Sequence, residues 1–277
     1  MSSQAFKTFE SIAFIGGGQM AEALIKGILE KGIIDRAAIR CSEPLEDRRE
    51  YLASTYGISL FAGNKEALQG AEAVLLAVKP QVMSAVLADI SQALSAEQVV
   101  ISIAAGISLD LLEDGLPAGS RVIRVMPNTP ALIQEGAAAL CRGASAKAED
   151  MEKALCLFGA VGVAVEVPES MMDAVTGLSG SGPAYCFMFI ESLIEAGIRE
   201  GLPRNIAEKL AVQTVIGSAK MCAATGRHPD ELAAMVTSPG GTTIQGIYRL
   251  HRGGMPAAVM DAVHAATKRS EELGGKK

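Results

Sequence analysis

The sequence contains no tryptophan, and aromatic residues make up only 4% of its 277 residues. Aromatic platforms on which the bases of single-stranded nucleic acid stack are therefore scarce. Basic residues are also outnumbered, with 25 Lys and Arg against 31 Asp and Glu and a net charge of −6. Because duplex binding needs a basic footprint, the sequence predicts no nucleic-acid partner.

Disulfide, metal and membrane signals are missing as well. The five cysteines are widely spaced, odd in number and form no C-x-x-C pair, which is typical of reduced thiols in a cytoplasm. Neither H-E-x-x-H nor G-x-S-x-G occurs, so we expect no metal site and no serine-hydrolase site. No apolar run reaches roughly 18 residues, and Met1–Glu10 lacks the pattern of a signal peptide. The sequence therefore predicts a cytoplasmic protein without membrane association.

Residues 1–167 alternate short β-branched runs with amphipathic helical patterns, which favours a parallel sheet with helices on both faces. The predicted strands lie at 12–15, 38–42, 73–78, 99–103, 122–126, 137–141 and 161–167. This part is predicted to be a doubly wound dinucleotide-binding domain. The predicted helices between the early strands lie at 20–31, 47–56 and 81–93.

Residues 168–277 show helical patterns only. The predicted helices lie at 184–200, 205–224, 229–236, 243–252 and 255–272. Tyr185–Ile190 leaves no polar face, and a helix that is apolar all round must be buried on all sides. A helical domain of about 110 residues buries such a helix poorly by itself. We therefore expect an all-α domain through which the chain forms a dimer.

A glycine motif follows the first predicted strand and begins the first predicted helix. Gly16-x-Gly18-x-x-Ala21 has the spacing and the context of a dinucleotide site. Gly16 allows the tight turn, Gly18 lets the backbone approach a pyrophosphate, and Ala21 lets helix and strand pack closely. The phosphates would lie on free N–H groups at the positive end of the helix.

The end of the second strand bears on which dinucleotide is used. If the strand ends at Ser42, its hydroxyl accepts a 2′-phosphate without charge repulsion, with Arg48 or Arg49 as candidate helpers. If it ends at Glu43, the carboxylate favours NAD(H). We expect NADP(H) to be preferred, with NAD(H) as the alternative.

Glycines and threonines precede a late helix. Thr242-x-x-Gln245 fits a capping box with Thr242 as the N-cap. Gly240 and Gly241 would leave backbone N–H groups unobstructed, so the helix N-terminus is a candidate carboxylate site. Thr243 would then be the first helical residue, with its hydroxyl available to a ligand. The alternative is a well-capped helix without a ligand.

Two other local predictions concern packing. Ser179–Ala184 combines small residues with a proline that suits the first helical position, which favours close packing and dimer contact over a ligand-lining role. His228 precedes Pro229 and is predicted to cap a helix.

Taken together, these motifs resemble those of the pyrroline-5-carboxylate reductase family over nearly the whole chain. The resemblance rests on five segments in order: Phe14–Ala21, Leu76–Gln81, Arg124–Pro130, Asp173–Tyr185 and Ser238–Ile244. It implies a Rossmann-type doubly wound sheet, a C-terminal all-α dimerisation domain and an oligomer that extends from a homodimer to a decamer. It also implies NAD(P)H-dependent reduction of 1-pyrroline-5-carboxylate to L-proline, the last step of proline biosynthesis.

The resemblance further implies site residues at matching positions. The cofactor would be bound by Gly16, Gly18, Gln19, Met20, Ala21, Ser42, Asn64, Ala77, Val78, Lys79, Pro80, Ala104, Ala105 and Gly106. The substrate would lie near Glu169, Ser238, Gly240, Gly241, Thr242 and Thr243, with Thr243 in the catalytic role. Met235 stands where the family often has Asn or Gln, so a polar substrate contact is not expected there.

Three rival interpretations remain open to different degrees. A hydroxyacid dehydrogenase of similar layout would need Lys and Asn where this chain has Cys186 and Phe189, so this rival is disfavoured. A reductase of another cyclic imine carboxylate is compatible with the sequence. A non-catalytic nucleotide-binding homeostasis protein would keep the glycine loop but would not need Thr243.

Overall fold

Eight strands form one sheet in the computed structural model, which describes residues 8–275. Most of the segment on which the prediction of no signal peptide rests lies outside the described residues. The strands are β1 Ile12–Ile15, β2 Ile39–Ser42, β3 Ser59–Phe61, β4 Ala73–Leu76, β5 Val99–Ser102, β6 Arg121–Met126, β7 Gly136–Arg142 and β8 Gly162–Glu166. All seven predicted strands are present, whereas β3, a three-residue strand with no buried residue, was not predicted.

The sheet has the order β3-β2-β1-β4-β5-β6-β7-β8. The pairs from β3 to β6 are parallel, as are β7 and β8, but β6 and β7 are antiparallel. The prediction of a parallel sheet therefore holds for β1 to β6, and the last two strands run the other way. The carboxyl ends of the parallel strands meet at one edge, which is where doubly wound sheets bind ligands.

Helices cover both faces of this sheet. The helices of this part are α1 Gln19–Glu30, α2 Glu46–Tyr56, α3 Asn64–Leu68, α4 Met83–Ile90, α5 Leu109–Asp114, α6 Ala148–Phe158 and α7 Met172–Val175. Alternate residues of β1 belong to two hydrophobic cores: Ile12 and Phe14 to one, and Ala13 and Ile15 to the other. Because both sides of the strand are buried, its sequence is apolar throughout.

The remaining helices are α8 Gly182–Arg199, α9 Arg204–Thr225, α10 Pro229–Met235, α11 Thr242–Arg252 and α12 Met255–Leu273. All five predicted C-terminal helices are present. The helices α3, α5, α6 and α7 were not predicted. Of these, α3, α5 and α7 have five, six and four residues and present too little periodicity to detect, whereas α6 has 11 residues.

The chain divides into two compact units. One comprises the chain up to Ser181 together with the part from Ala265 onward, and the other comprises Gly182–His264. This division differs from the sequence-based boundary after residue 167, because later segments pack on the first unit. Met172 is fully buried in the core beside β4 and β5, and the Ser270 hydroxyl donates a 2.8 Å hydrogen bond to Asp173.

The second unit exposes large apolar side chains. Phe187 and Met188 of α8 are 64% and 72% exposed, and only Ile194 of that helix is buried. The core of this unit is small and consists of Ile194, Ala207 and Ala211 with partly buried neighbours. A single copy of the chain thus leaves the apolar helix uncovered, as the sequence argument for a dimer requires.

Within residues 8–275, no helix combines the length and apolarity needed to cross a membrane. The same residues contain no group of three or more His, Cys, Asp or Glu side chains placed to hold a metal ion.

Candidate active site

The loop between β1 and α1 has the backbone geometry that its glycines predict. Gly16 has a φ of +96°, and a Cβ added there would lie 2.8 Å from the carbonyl oxygen of Ala77. A side chain at this position would therefore strain the backbone and collide with the backbone that directly follows β4. At Gly18 an added Cβ would meet nothing within 4 Å. Gly16 is thus constrained by the fold, whereas Gly18 faces open space.

The N-terminus of α1 is open to a ligand. Gly18 is its N-cap with extended backbone, so no side chain caps the helix. The N–H groups of the first turn, from Gln19 onward, have no partner within the helix. Ala21 is fully buried where helix and strand meet. Uncapped N–H groups beside open space fit the phosphates of a dinucleotide.

Two more predicted cofactor loops lie at the same edge of the sheet. The Ala77 N–H donates to Ile15 O at 2.8 Å, and the Ile103 N–H donates to Leu76 O at 3.2 Å. The segment Ala77–Pro80 therefore follows the strand next to the glycine loop, and Ala104–Gly106 follows the strand after that. The structure brings together these predicted cofactor residues.

Ser42 and Asn64, both expected near the cofactor, are hydrogen-bonded to each other. Ser42 is 1% exposed, and its hydroxyl donates to Asn64 Oδ1 at 2.7 Å. The Asn64 amide donates to Asp89 at 2.9 Å, and Lys65 Nζ lies 3.5 Å from the same carboxylate. The polar groups at this point are thus largely committed to one another.

Glu43 follows the last residue of β2 and turns back onto the glycine loop. It is 8% exposed. Its Oε2 accepts the Gly17 N–H at 3.0 Å, and its Oε1 accepts the Leu45 N–H at 3.0 Å. The strand ends at Ser42, yet the acidic side chain next to it contacts the glycine loop directly.

The two arginines considered as helpers bind backbone carbonyls. Arg48 donates to Gly17 O at 2.7 Å and forms an ion pair with Glu22 at 2.6 Å. Arg49 donates to the carbonyls of Glu43 and Pro44 at 2.7 and 2.8 Å. Both guanidinium groups therefore brace the loops around the site.

Glu22 is the centre of a polar cluster that the sequence did not suggest. Arg48, Tyr51 and Tyr56 all donate to its carboxylate. Although burial raises it, these hydrogen bonds hold the pKa of Glu22 below its usual value. Burial and the bond to Glu22 raise the pKa of Tyr56. Because Glu22 is in the first turn of α1 and Arg48 contacts Gly17 O, the cluster fixes the glycine loop against α2.

Glu169, a predicted substrate residue, makes bonds within the first unit. Its Oε1 accepts the Leu109 N–H at 2.7 Å and Arg124 Nη1 at 3.0 Å. Arg124 is buried, at 5% exposure, so its charge is compensated by this carboxylate. These contacts tie α5 to β6.

Asn128 explains two of the family-like segments as packing features. Its amide donates to Ser179 O at 3.1 Å, and its Oδ1 accepts the Ala137 N–H at 2.8 Å. A Cβ added at Gly180 would come 2.6 Å from Met126 Cε. The packing role predicted for the start of Ser179–Ala184 is therefore seen in the first unit. Asn128 itself had no spacing signal, since an amide between prolines also suits a turn.

The predicted capping box at α11 is wrong. The N-cap is Gly241, so Thr242 and Thr243 are the first two helical residues and no side chain caps the helix. The Gly241 N–H donates to Ser238 O at 3.1 Å, and this turn, with Gly240 at a φ of +69°, starts the helix one residue earlier. The first-turn N–H groups therefore remain available to an anion. Thr242 is exposed and Thr243 is half-buried.

Two flanking predictions concern α10. His228 is its N-cap, and its Nδ1 accepts the Asp230 N–H at 3.3 Å, as predicted. Met235 is 60% exposed and its sulfur accepts Arg227 Nη1 at 3.0 Å. Residues of α10 and α11 belong to the second unit, and the glycine loop belongs to the first.

Comparison with known proteins agrees with this division of roles. A family model described as pyrroline-5-carboxylate reductase dimerisation matches residues 169–273, and one described as NADP oxidoreductase, coenzyme F420-dependent, matches residues 11–106. The pyrroline-5-carboxylate reductase of Methanosarcina acetivorans is 48% identical and covers 96% of this chain and 99% of its own. That of Synechocystis is 45% identical, over 96% and 98%.

Solved structures are similar over the same length. A pyrroline-5-carboxylate reductase from Coxiella burnetii has a TM-score of 0.92 at 35% identity, covering 95% of this chain and 98% of its own. The Plasmodium falciparum enzyme, solved with NADP bound, has a TM-score of 0.84 at 32% identity over the same shares. The chain therefore belongs to the pyrroline-5-carboxylate reductase family.

Proposed function

We propose that this chain reduces 1-pyrroline-5-carboxylate to L-proline with a nicotinamide dinucleotide. The observation that carries the proposal is the uncapped glycine loop at the start of α1, with open space at Gly18, in a chain of this family. When bound, the cofactor supplies the hydride. The chain's own residues bind the cofactor and the substrate and orient the imine.

The cofactor is proposed to lie along the carboxyl edge of β1, β4 and β5. The N–H groups of α1 bind its pyrophosphate, and the segments Ala77–Pro80 and Ala104–Gly106 line it. Ser42 and Asn64 lie at the adenosine end. The support is that these loops are neighbours at one edge of the sheet.

The substrate carboxylate is proposed to bind the uncapped N–H groups at Gly241–Thr243. An anion at a helix N-terminus is stabilised by those donors and by the helix dipole. Ser238, Gly240 and Thr242 would complete this subsite. We keep Glu169 as a proposed substrate neighbour; its bonds to Arg124 and Leu109 show that it also holds α5 in place.

Thr243 is proposed to hydrogen-bond the ring nitrogen. Its half-buried position in the first turn of α11 leaves its side chain free of any capping duty. The nitrogen must be protonated, because an iminium accepts hydride far better than an imine. A neutral alcohol is a weak acid, so Thr243 orients the ring or relays a proton. Most of the rate gain would come from placing the imine carbon against the hydride donor.

The surroundings of Ser42 bear on the choice between NADP(H) and NAD(H) in two opposite ways. β2 ends at Ser42, which by the sequence criterion favours NADP(H). The Ser42 hydroxyl, however, is buried and already donates to Asn64, and both nearby arginines bind backbone carbonyls. The proposal therefore commits to a nicotinamide cofactor without resting a preference on Ser42.

The chain is proposed to act as a homodimer joined through residues 168–277. The exposed apolar side chains of α8, α9 and α11 supply the surface that a second copy covers. Assembly of dimers into a decamer and a cytoplasmic location are the further proposals.

The test is oxidation of NADH or NADPH, followed by absorbance, with and without the cyclic imine. Imine-dependent oxidation with stoichiometric proline supports the proposal. Binding of a dinucleotide with no turnover by either cofactor would favour the sensor interpretation. Turnover that is faster with a six-membered cyclic imine carboxylate would favour the other rival.

A further inference from the structure

We propose that Glu43 makes NADH the preferred cofactor of this chain, by accepting the adenosine ribose hydroxyls and repelling a 2′-phosphate. The inference rests on the proposed nicotinamide-dependent activity. It reverses the preference that the sequence favours, because the structure places the carboxylate rather than the Ser42 hydroxyl against the cofactor loop.

Glu43 lies at the carboxyl end of β2, beside the glycine loop. Ile15 pairs with Ser42, and the Gly16 N–H donates to Ser42 O at 2.9 Å. Glu43 therefore comes beside Gly16 at the carboxyl end of β2, and its own N–H donates to Phe61 O at 3.0 Å. In doubly wound sheets, an acidic side chain at this point accepts the ribose hydroxyls of NAD.

Two backbone N–H groups hold the Glu43 carboxylate in place. Oε2 is held by the Gly17 N–H and Oε1 by the Leu45 N–H, both at 3.0 Å. Two neutral donors fix the group without cancelling its charge. A carboxylate has about four lone-pair directions, so each oxygen can still accept a ribose hydroxyl. The lack of a side chain at Gly17 permits this close approach, since a Cβ there would lie 3.3 Å from Oε2 and 2.7 Å from Leu52 Cδ1.

The cationic side chains near Glu43 that could neutralise a 2′-phosphate already have partners. Arg48 and Arg49 bind the carbonyls of Gly17, Glu43 and Pro44. Lys65 is paired with Asp89 at 3.5 Å, and Asp89 also accepts the Asn64 amide. A 2′-phosphate here would be repelled by the Glu43 carboxylate, and the nearby cations would not be available to neutralise it. Like-charge contact of this kind disfavours the wrong ligand.

The experiment measures equilibrium binding, so that it does not depend on turnover. Dissociation constants of NADH and NADPH are determined by calorimetry for the full-length protein. AMP and its 2′-phosphorylated form serve as competing probes that differ only by the phosphate in question. We expect wild type to bind NADH at least about tenfold more tightly than NADPH, and AMP more tightly than its 2′-phosphorylated form.

Three variants assign the preference to its residue. Glu43→Ser and Glu43→Gln remove the charge, the second with little change in side-chain volume. Each is expected to shift the ratio of the two dissociation constants by at least about tenfold towards NADPH. Glu46→Gln is the matched control, because Glu46 is an exposed acid at the start of α2 three positions away. It should leave the ratio unchanged.

Tighter or equal binding of NADPH by wild type would overturn the inference, and this result needs no variant to fold. An NADH preference that survives in both Glu43 variants, with melting curves that show folded protein, would overturn the assignment to Glu43. Failure of the proposed function would look different: both cofactors would bind, with whatever preference, and neither would be oxidised by the imine.

Discussion

Alanine substitutions at two glycines of the same loop are expected to have different effects: Gly16→Ala lowers stability, and Gly18→Ala weakens cofactor binding. Gly16→Ala forces a side chain onto a φ of +96° and puts its Cβ 2.8 Å from the Ala77 carbonyl oxygen. Such a backbone position costs about 1–3 kcal/mol, and the contact with a strand carbonyl adds to it. With roughly 2–4 °C per kcal/mol for a chain of this size, the melting temperature should fall by about 5–10 °C.

Gly18→Ala should leave stability intact and impair cofactor binding. Gly18 has a φ of −68° with open space around its Cα. Alanine fits that backbone and gains about 0.4–1 kcal/mol by restricting the unfolded chain. Its methyl group, however, would occupy the space through which a pyrophosphate approaches the N–H groups of α1. We expect the dissociation constant of NADH to rise at least about tenfold, or ~1.4 kcal/mol.

The assay pairs thermal unfolding with calorimetric titration of NADH, both on the two variants and wild type. Stabilisation of the folded protein by saturating NADH gives an independent measure of binding. Wild-type affinity in Gly18→Ala would refute the placement of the pyrophosphate. An unchanged melting temperature in Gly16→Ala would refute the steric argument for the turn.

Four further predictions concern other parts of the chain. Thr243→Ala should lower kcat/KM at least about tenfold, or ~1.4 kcal/mol, whereas Thr243→Ser restores most of it; an unchanged value in steady-state assays would remove Thr243 from the mechanism. Glu22→Gln should unfold more easily than wild type at pH 7. Because the folded pKa of Glu22 lies below its usual 4.5, this difference should be present above pH 4.5 and vanish as pH falls through the lower value; a constant difference down to pH 3 would contradict the cluster's role. Burial, with help from the charge of Glu43, raises the pKa of Cys41 to about 12, so its thiol should resist alkylation at pH 8 until the protein unfolds, as peptide mass mapping can check. Met188→Asp should shift the mass measured by light scattering from a dimer towards the 28.7 kDa monomer, while persistence of the dimer would place the interface elsewhere.

Long and strongly patterned elements could be predicted from the sequence. The strands β1 and β4 are apolar at every position, and β5 at all but Ser102, because both faces of the sheet are covered, and that signal survives without an alignment. The glycine loop was equally clear, since strand, turn and helix had to coincide. The elements that were not predicted include β3 and α3, which are too short to show a hydrophobic periodicity.

Local bonding was the other limit of prediction. The capping box predicts that α11 begins at Thr243, whereas it begins at Thr242, because the Ser238–Gly241 turn makes Gly241 the N-cap. The sequence left the end of β2 open between Ser42 and Glu43; the strand ends at Ser42, and it is the Glu43 side chain that contacts the glycine loop. The carboxylate of Glu43 is placed by two backbone N–H groups that are distant from each other in sequence. No spacing rule contains that information.

Transfer of a hydride from the nicotinamide to the imine carbon of the five-membered ring can be followed with NADH that carries deuterium at the transferable position and 1-pyrroline-5-carboxylate as substrate. We expect proline with one deuterium on the ring carbon that was doubly bonded to nitrogen, in amounts equal to the NADH oxidised. Proline without deuterium, or oxidation of NADH without proline, would contradict it.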